Sequence, residues 1–228
     1  MLKRQLTMVG HDNADGTSAP RPSLDELVQV KSSAAETLVS ESAKGYSIVF
    51  VGIDRPLAAT EQSFDAQLAS LFDTFAGPVA IASSGEQFRP ATSGPLNILV
   101  PTGGTAPARM ATEIAVAFAK ATGSRLTVLH VFASQNDTNP LRAGRTNRRG
   151  LSVLVDARRL GKRNGIRIDA LTSVNARPEI AIKRTVATGR FDLIVLGASL
   201  RQGDRKFLGP GSEELVRSLT VPMLLVTQ

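Results

Sequence analysis

The 228-residue chain contains no cysteine, no tryptophan and two histidines. Without cysteine it has no disulfide framework, thiolate metal site or cysteine nucleophile, a composition that suits a reducing compartment. His11 and His130 are too few for a histidine-rich metal centre or a two-histidine mechanism, so no metal is expected. His130 alternates with apolar neighbours in "LTVLHVF", the pattern of a strand histidine packed near the end of a sheet. No apolar run approaches the roughly 18 to 20 residues that a membrane helix requires, and Met1 to Gly10 carries no secretory apolar core. Aromatic residues make up 4% of the chain, which leaves no stacking platforms for single-stranded nucleic acid despite a net charge of +7. The basic residues gather between Arg142 and Arg163, on one helix and its lead-in. They mark either a solvated helix face or a surface turned toward anionic lipid or an acidic partner.

What is present, from Leu96 onward, is alternation. "LNILVP" is a short, nearly continuous apolar run, which is how a strand covered on both faces reads. "APARMATEIAVAFAKATG" follows, with Pro107 at a first helical turn, Met110, Ile114, Ala117 and Phe118 at helical spacing, and Gly123 as the stop. Strands "RLTVLHVF", "IRIDALTS", "FDLIVLG" and "VPMLLVT" come next. Between them are a helix through Leu151, Val155 and Leu160, a helix from Pro178 to Gly189, and "GSEELVRSL", read as a helix with a serine cap. Five strand–helix alternations imply an α/β class, doubly wound around a parallel five-stranded sheet. Ligands bind such sheets outside the carboxyl ends of the strands, which singles out the loops "PTGGT" and "GASLRQGDRKFLGPGS".

The earlier residues repeat part of this unit. "GYSIVFVGID" parallels "RFDLIVLGAS", with Gly52 matching Gly197. "GPVAIAS" parallels "VPMLLVT", with Pro78 matching Pro222, at about the same separation, so the chain contains an internal duplication. The expected organisation is a flexible or incomplete segment over 1–23, a degenerate half-domain over 24–90 and a complete domain over 91–228. In the half-domain "ELVQV" stands as a third-strand equivalent, followed by a helix near Ala34 to Lys44. Nothing before Leu24 resembles "LNILVPTGGT", so the chain is expected to begin inside a domain.

In the second loop Gly209, Gly211 and Ser212 precede a helix, whose unpaired amides and dipole favour an anion, and Arg201, Arg205 and Lys206 stand close enough in sequence to add charge. An equally simple account makes Ser212 a helix cap, with Glu213 and Glu214 complementing the dipole. "TGGT" in turn reads as a plain strand-to-helix turn or as a ligand loop. Catalysis has little to stand on, because the hydroxyls have no visible histidine partner, and the chain is not expected to be an enzyme.

"ILVPTGGTAPARMATEIAVAFAKATGSRLTVLHVF" together with "DLIVLGASLRQGDRKFLGPGSEELVRSLTVPMLLV" resembles a universal stress protein domain over residues 96–228, and weakly over 26–83. "PTGGT" combined with "LGASLRQGDRKFLG" is similar to the cytoplasmic tail domains of bacterial cation:proton antiporters. The resemblance implies a site for ATP or another adenine nucleotide, held by Pro101, Thr102, Gly103, Val131, Gly197, Gly203, Gly209, Gly211 and Ser212. Gly197 matches the first glycine of the family signature and Val131 a position lining the adenine pocket. Leu200 replaces the second glycine, with Gly203 close by. The Gly211-Ser212 pair stands one residue late, and Gly103 replaces a common aspartate.

The function so implied is a cytosolic regulatory domain of a monovalent cation:proton antiporter at the inner face of the cell membrane, sensing a nucleotide or mediating subunit contacts. Its partners would be a transport domain of the same parent chain, an anionic lipid surface, and a second half or copy joined through the last strands. The alternatives are a free-standing tandem universal stress protein and a ligand-free interaction module.

Overall fold

Strands form where apolar residues run together and helices where they recur at three- and four-residue spacing, and both signals assemble here into one sheet with helices on either face. The computed structural model describes residues 47–53, 55–57, 64–83, 94–132, 140–203 and 206–228, apart from the side chains of 67, 140–147 and 149. The expected 1–23 segment, "ELVQV" and the helix near Ala34 to Lys44 lie outside the described residues.

The elements are β1 (Val49–Gly52), α1 (Ala66–Thr74), β2 (Val79–Ser83), β3 (Asn97–Pro101), α2 (Ala106–Thr122), β4 (Arg125–Phe132), α3 (Pro140–Arg163), β5 (Ile168–Val174), α4 (Pro178–Thr188), β6 (Leu193–Ala198), β7 (Leu200–Arg201), β8 (Phe207–Leu208), α5 (Pro210–Ser218) and β9 (Met223–Thr227). Among the described residues the main sheet has seven strands in the order β1-β2-β9-β6-β3-β4-β5. Five of them, β9-β6-β3-β4-β5, form the expected parallel α/β unit. β1 and β2 extend that sheet, and only the β2–β9 junction is antiparallel, with Ile81 opposite Leu225.

Residues of alternate parity on each strand feed two cores. Leu99, Leu129, Ile194, Leu196 and Leu225 face α1, α4 and α5 through Leu71, Ile182 and Leu215. Ile98, Val100, Leu126, Val128 and Val195 face α2 and α3 through Ala111, Ala115, Leu154 and Ala157. Each fully buried leucine or isoleucine contributes about 1.5–3 kcal/mol relative to exposure. Helix α2 turns four buried alanines, Ala108, Ala111, Ala115 and Ala119, toward the sheet, and these small side chains let the helix axis sit low. Thr105 caps α2 by accepting from the Ala108 amide, Pro107 stands in its first turn, and Gly123 ends it in the left-handed conformation at φ 68°. Among the described residues no helix is long and apolar enough to cross a membrane.

Candidate functional site

The two loops singled out by the sequence leave neighbouring strands, because β3 pairs with β6. Pro101 closes β3 and is buried. Thr102, 6% exposed, is held by both ends of its backbone. Its amide donates to the Leu129 carbonyl at 2.8 Å, and its own carbonyl accepts from His130 Nδ1 at 2.8 Å. A carbonyl oxygen only accepts, so Nδ1 carries the proton. The strand histidine thus pins the start of the "TGGT" loop. Gly104 has φ 79°, and a Cβ there would come 2.7 Å from Val153 Cγ2, so this position requires glycine twice over. Gly103 is different: it is exposed, with open space where a side chain would stand.

Thr102 and Gly103 line a cavity of about 510 Å³ between α2 and α3, ringed by Arg109, Glu113, Asp156 and Arg163. The other expected site residues do not line it. Val131 packs against the core on the opposite face of the sheet, the face that carries α5. Gly197 serves packing. A Cβ on it would overlap the carbonyl group of Pro107 and the Cα of Ala108, so α2's first turn lies directly on β6. Gly203 is an exposed residue between the two strands of a small antiparallel hairpin, β7–β8, within the second loop. Leu200, in place of the family's second glycine, is committed: it pairs with Leu208 and its amide donates to the Gln228 carbonyl at 3.3 Å.

The opening of α5 departs from the serine-cap reading. The helix begins at Pro210, its N-cap is Gly209, and no side chain caps it. Proline's fixed φ suits a first helical position, so the helix starts two residues before the serine. Ser212 is therefore the third helical residue. Glu213 makes the first intrahelical bond, its amide donating to the Gly209 carbonyl at 2.9 Å. Pro210 has no N–H, and the amides of Gly211 and Ser212 precede that first bond, so neither has an intrahelical acceptor. The Arg201 side chain packs on the same turn, within 3.0 Å of where a Gly209 side chain would stand. A carboxylate flanks it as well, Glu179 Oε2 lying 3.4 Å from a hypothetical Gly211 Cβ.

Of the cations expected to supply charge, Lys206 is spent elsewhere, donating to the Phe72 carbonyl at 2.7 Å near the end of α1. Arg205 lies outside the described residues.

Sequence reasoning missed the network joining α4 to α5. Arg177 reaches Glu179 and Glu214, each at 2.6 Å, and Lys183 also donates to Glu214. The hydrogen bond from Lys183, reinforced by the charges of Lys183 and Arg177, holds the Glu214 carboxyl below its ordinary range against the opposing effect of desolvation. The Arg177 guanidinium is raised, first by its hydrogen bond to Glu179. Residues 37 apart in sequence give no local signal of such a pairing. Gly150 was missed as well, although a glycine inside a helical pattern is a signal of close approach that could have found it. A side chain there would overlap the His130 and Phe132 rings, which themselves meet edge-on at 4.7 Å. Among the described residues no group of three or more acidic, histidine or cysteine side chains is arranged to hold a metal.

A model of the Universal stress protein family matches residues 96–227. No curated protein matches the sequence significantly. Among solved structures, a universal stress protein from Archaeoglobus fulgidus DSM 4304 is 18% identical with a TM-score of 0.58, over 84% of this chain and 65% of that one. A putative universal stress protein from Pseudomonas aeruginosa UCBPP-PA14 is 15% identical with a TM-score of 0.53, over 86% of this chain and 69% of that one. The universal stress protein from Archaeoglobus fulgidus in complex with dAMP is 15% identical with a TM-score of 0.46, over 57% of this chain and 97% of that one.

Proposed function

The chain belongs to the universal stress protein family, and we propose that it is a nucleotide-responsive regulatory module that binds the phosphates of ATP or a related adenine nucleotide at the opening of α5 and catalyses no reaction on them. The observation that carries this reading is the uncapped first turn. Two amides without helical acceptors, the Arg201 guanidinium and the positive end of a helix dipole meet at Gly209 to Ser212, where Ser212 adds a hydroxyl to the same turn and the neighbouring Glu179 carboxylate is paired with Arg177. Val131 lies on the face of the sheet that carries α5, which supports placing the base on that face, over the carboxyl end of β4. With the Leu200 amide committed, the backbone contacts to the anion fall to the opening of α5.

The module works by coupling: ligand that binds one arrangement of the α5 opening more tightly biases whatever the domain is joined to. The resemblance of "PTGGT" with "LGASLRQGDRKFLG" to antiporter tail domains supports a monovalent cation:proton antiporter as that partner, with the module at the cytoplasmic face.

Calorimetric titration with ATP, AMP and a cyclic dinucleotide, on the chain and on a Gly211→Val, Ser212→Ala variant, tests the site. A Cβ at residue 211 meets only ordinary contact, and the thermal transition of the variant, compared with that of the parent, checks that it folds. The expected result is binding by the parent that the variant loses. No heat with any nucleotide from the folded parent refutes the reading and leaves Gly209 to Ser212 as a helix start alone.

A further inference from the structure

We propose that the outward flank of α3 is a docking surface for an anionic lipid bilayer. This rests on features of α3 independent of the nucleotide site. The buried positions of α3, Gly150, Leu154, Ala157 and Gly161, recur at four, three and four residues and seat the helix on β4 and β5. Two of these contacts exist because glycine has no side chain: at Gly150 the His130 and Phe132 rings fill the space, and at Gly161 Ile168 does. The helix therefore lies low on the sheet along one line and stands out along the other.

On the standing flank Leu151 and Val155 are 53% and 45% exposed, amid exposed Arg148, Arg158, Arg159 and Lys162. At 100° per residue these six positions share an arc of about 100°. The stretch 148–163 has a single carboxylate, Asp156. It falls on the other flank, where it lines the α2–α3 cavity and reaches back to Arg159 at 3.5 Å. The surface is cationic with an aliphatic seam, along roughly 20 Å of helix.

An anionic bilayer matches both halves of that chemistry. The guanidinium and ammonium heads meet lipid phosphates while their stems and the two aliphatic side chains enter the headgroup boundary. Nucleic acid satisfies only the charge, and the flank carries no aromatic side chain on which a base would stack. A flank that stands out from the sheet suits a plane, whereas an apolar peptide motif would need a groove.

The test is vesicle flotation of the whole chain with phosphatidylcholine alone and with phosphatidylcholine mixed with phosphatidylglycerol, at low and high salt. The variants are Arg158→Glu, Arg159→Glu, Lys162→Glu in one protein and Leu151→Ser, Val155→Ser in another. All five side chains are exposed, so circular dichroism and the thermal transition should match the parent in both. The parent is expected to float with the phosphatidylglycerol mixture only. Losing each cation lowers partitioning about fivefold, so the triple reversal lowers it by about 100-fold or more. The double serine variant keeps low-salt binding but loses what remains of it at high salt, where the apolar contact carries the adhesion. Flotation that the triple reversal leaves unchanged overturns the proposal. So does an absence of flotation with the mixture, or displacement of the protein from vesicles by equimolar single-stranded RNA.

Discussion

The chain holds two copies of one strand–helix–strand unit, β1–α1–β2 and β6–α5–β9, and they agree down to single hydrogen bonds. Val49 donates to the Pro78 carbonyl at 3.1 Å as Ile194 donates to that of Pro222 at 2.9 Å. Gly52 lies opposite Ala82 as Gly197 lies opposite Val226. Yet the two glycines have different surroundings. Gly197 is pressed by the backbone of α2's first turn, and Gly52 has open space where a Cβ would go. The lesson is that a shared motif residue need not do a shared job: glycine is obligatory at 197 because a helix lies on it, and at 52 none of the described residues comes within 4 Å to require it. The connections diverge too. The β6–α5 link folds a hairpin and opens an uncapped helix, whereas α1 carries no acidic residue in its first turn.

The sharpest way to break this comparison is to put alanine at both glycines. Gly197→Ala forces α2 off the sheet and is expected to cost about 3 kcal/mol, lowering the thermal midpoint by roughly 6–12 °C. Gly52→Ala should stay within about 0.5 kcal/mol of the parent. Equal losses in thermal denaturation would show that the two units are equally enclosed.

The next effect concerns how the units are joined. Lys206, from the second unit's loop, holds the Phe72 carbonyl of α1, where a helix's carboxyl end favours a cation. Lys206→Met should cost about 1 kcal/mol, read by denaturant titration, and speed hydrogen exchange at the last turn of α1. Exchange confined to the β7–β8 hairpin would mean that the lysine does not tie the units together.

The smallest effect sets α5's charges against α1, which holds Asp73 as its single charged residue. Glu214's carboxyl is held below its ordinary value, first by the hydrogen bond from Lys183. A depressed carboxyl stabilises the fold above the ordinary carboxylate range and ceases to do so as pH falls through the lowered value. Glu214→Gln should therefore lower the thermal midpoint slightly at neutral pH, with the gap closing in acid. A gap that stays constant with pH would mean that the ion pairs contribute nothing.

Much of this molecule was legible beforehand. Pro107 and Gly123 bracket α2 as their backbone preferences demand, and the repeat of "GPVAIAS" in "VPMLLVT" located the two strands that turned out to lie side by side. The serine cap was misplaced because proline's pull toward a first helical position outweighed serine's preference for capping. The candidate site was legible as loops and not as geometry. Gly197 and Gly211 belong to one sequence signature, yet one lies under α2 and the other beside Glu179.

By itself, then, the sequence determined which segments are strands and helices, that the sheet is mainly parallel, and that a unit is repeated, because backbone propensity and apolar periodicity act within a few residues. Only the tertiary structure decided that the last strands of the two units pair antiparallel, that His130 pins the Thr102 loop, and that Lys206 serves α1. Those contacts join residues as many as 148 positions apart, and no local preference registers a partner that only folding brings within reach.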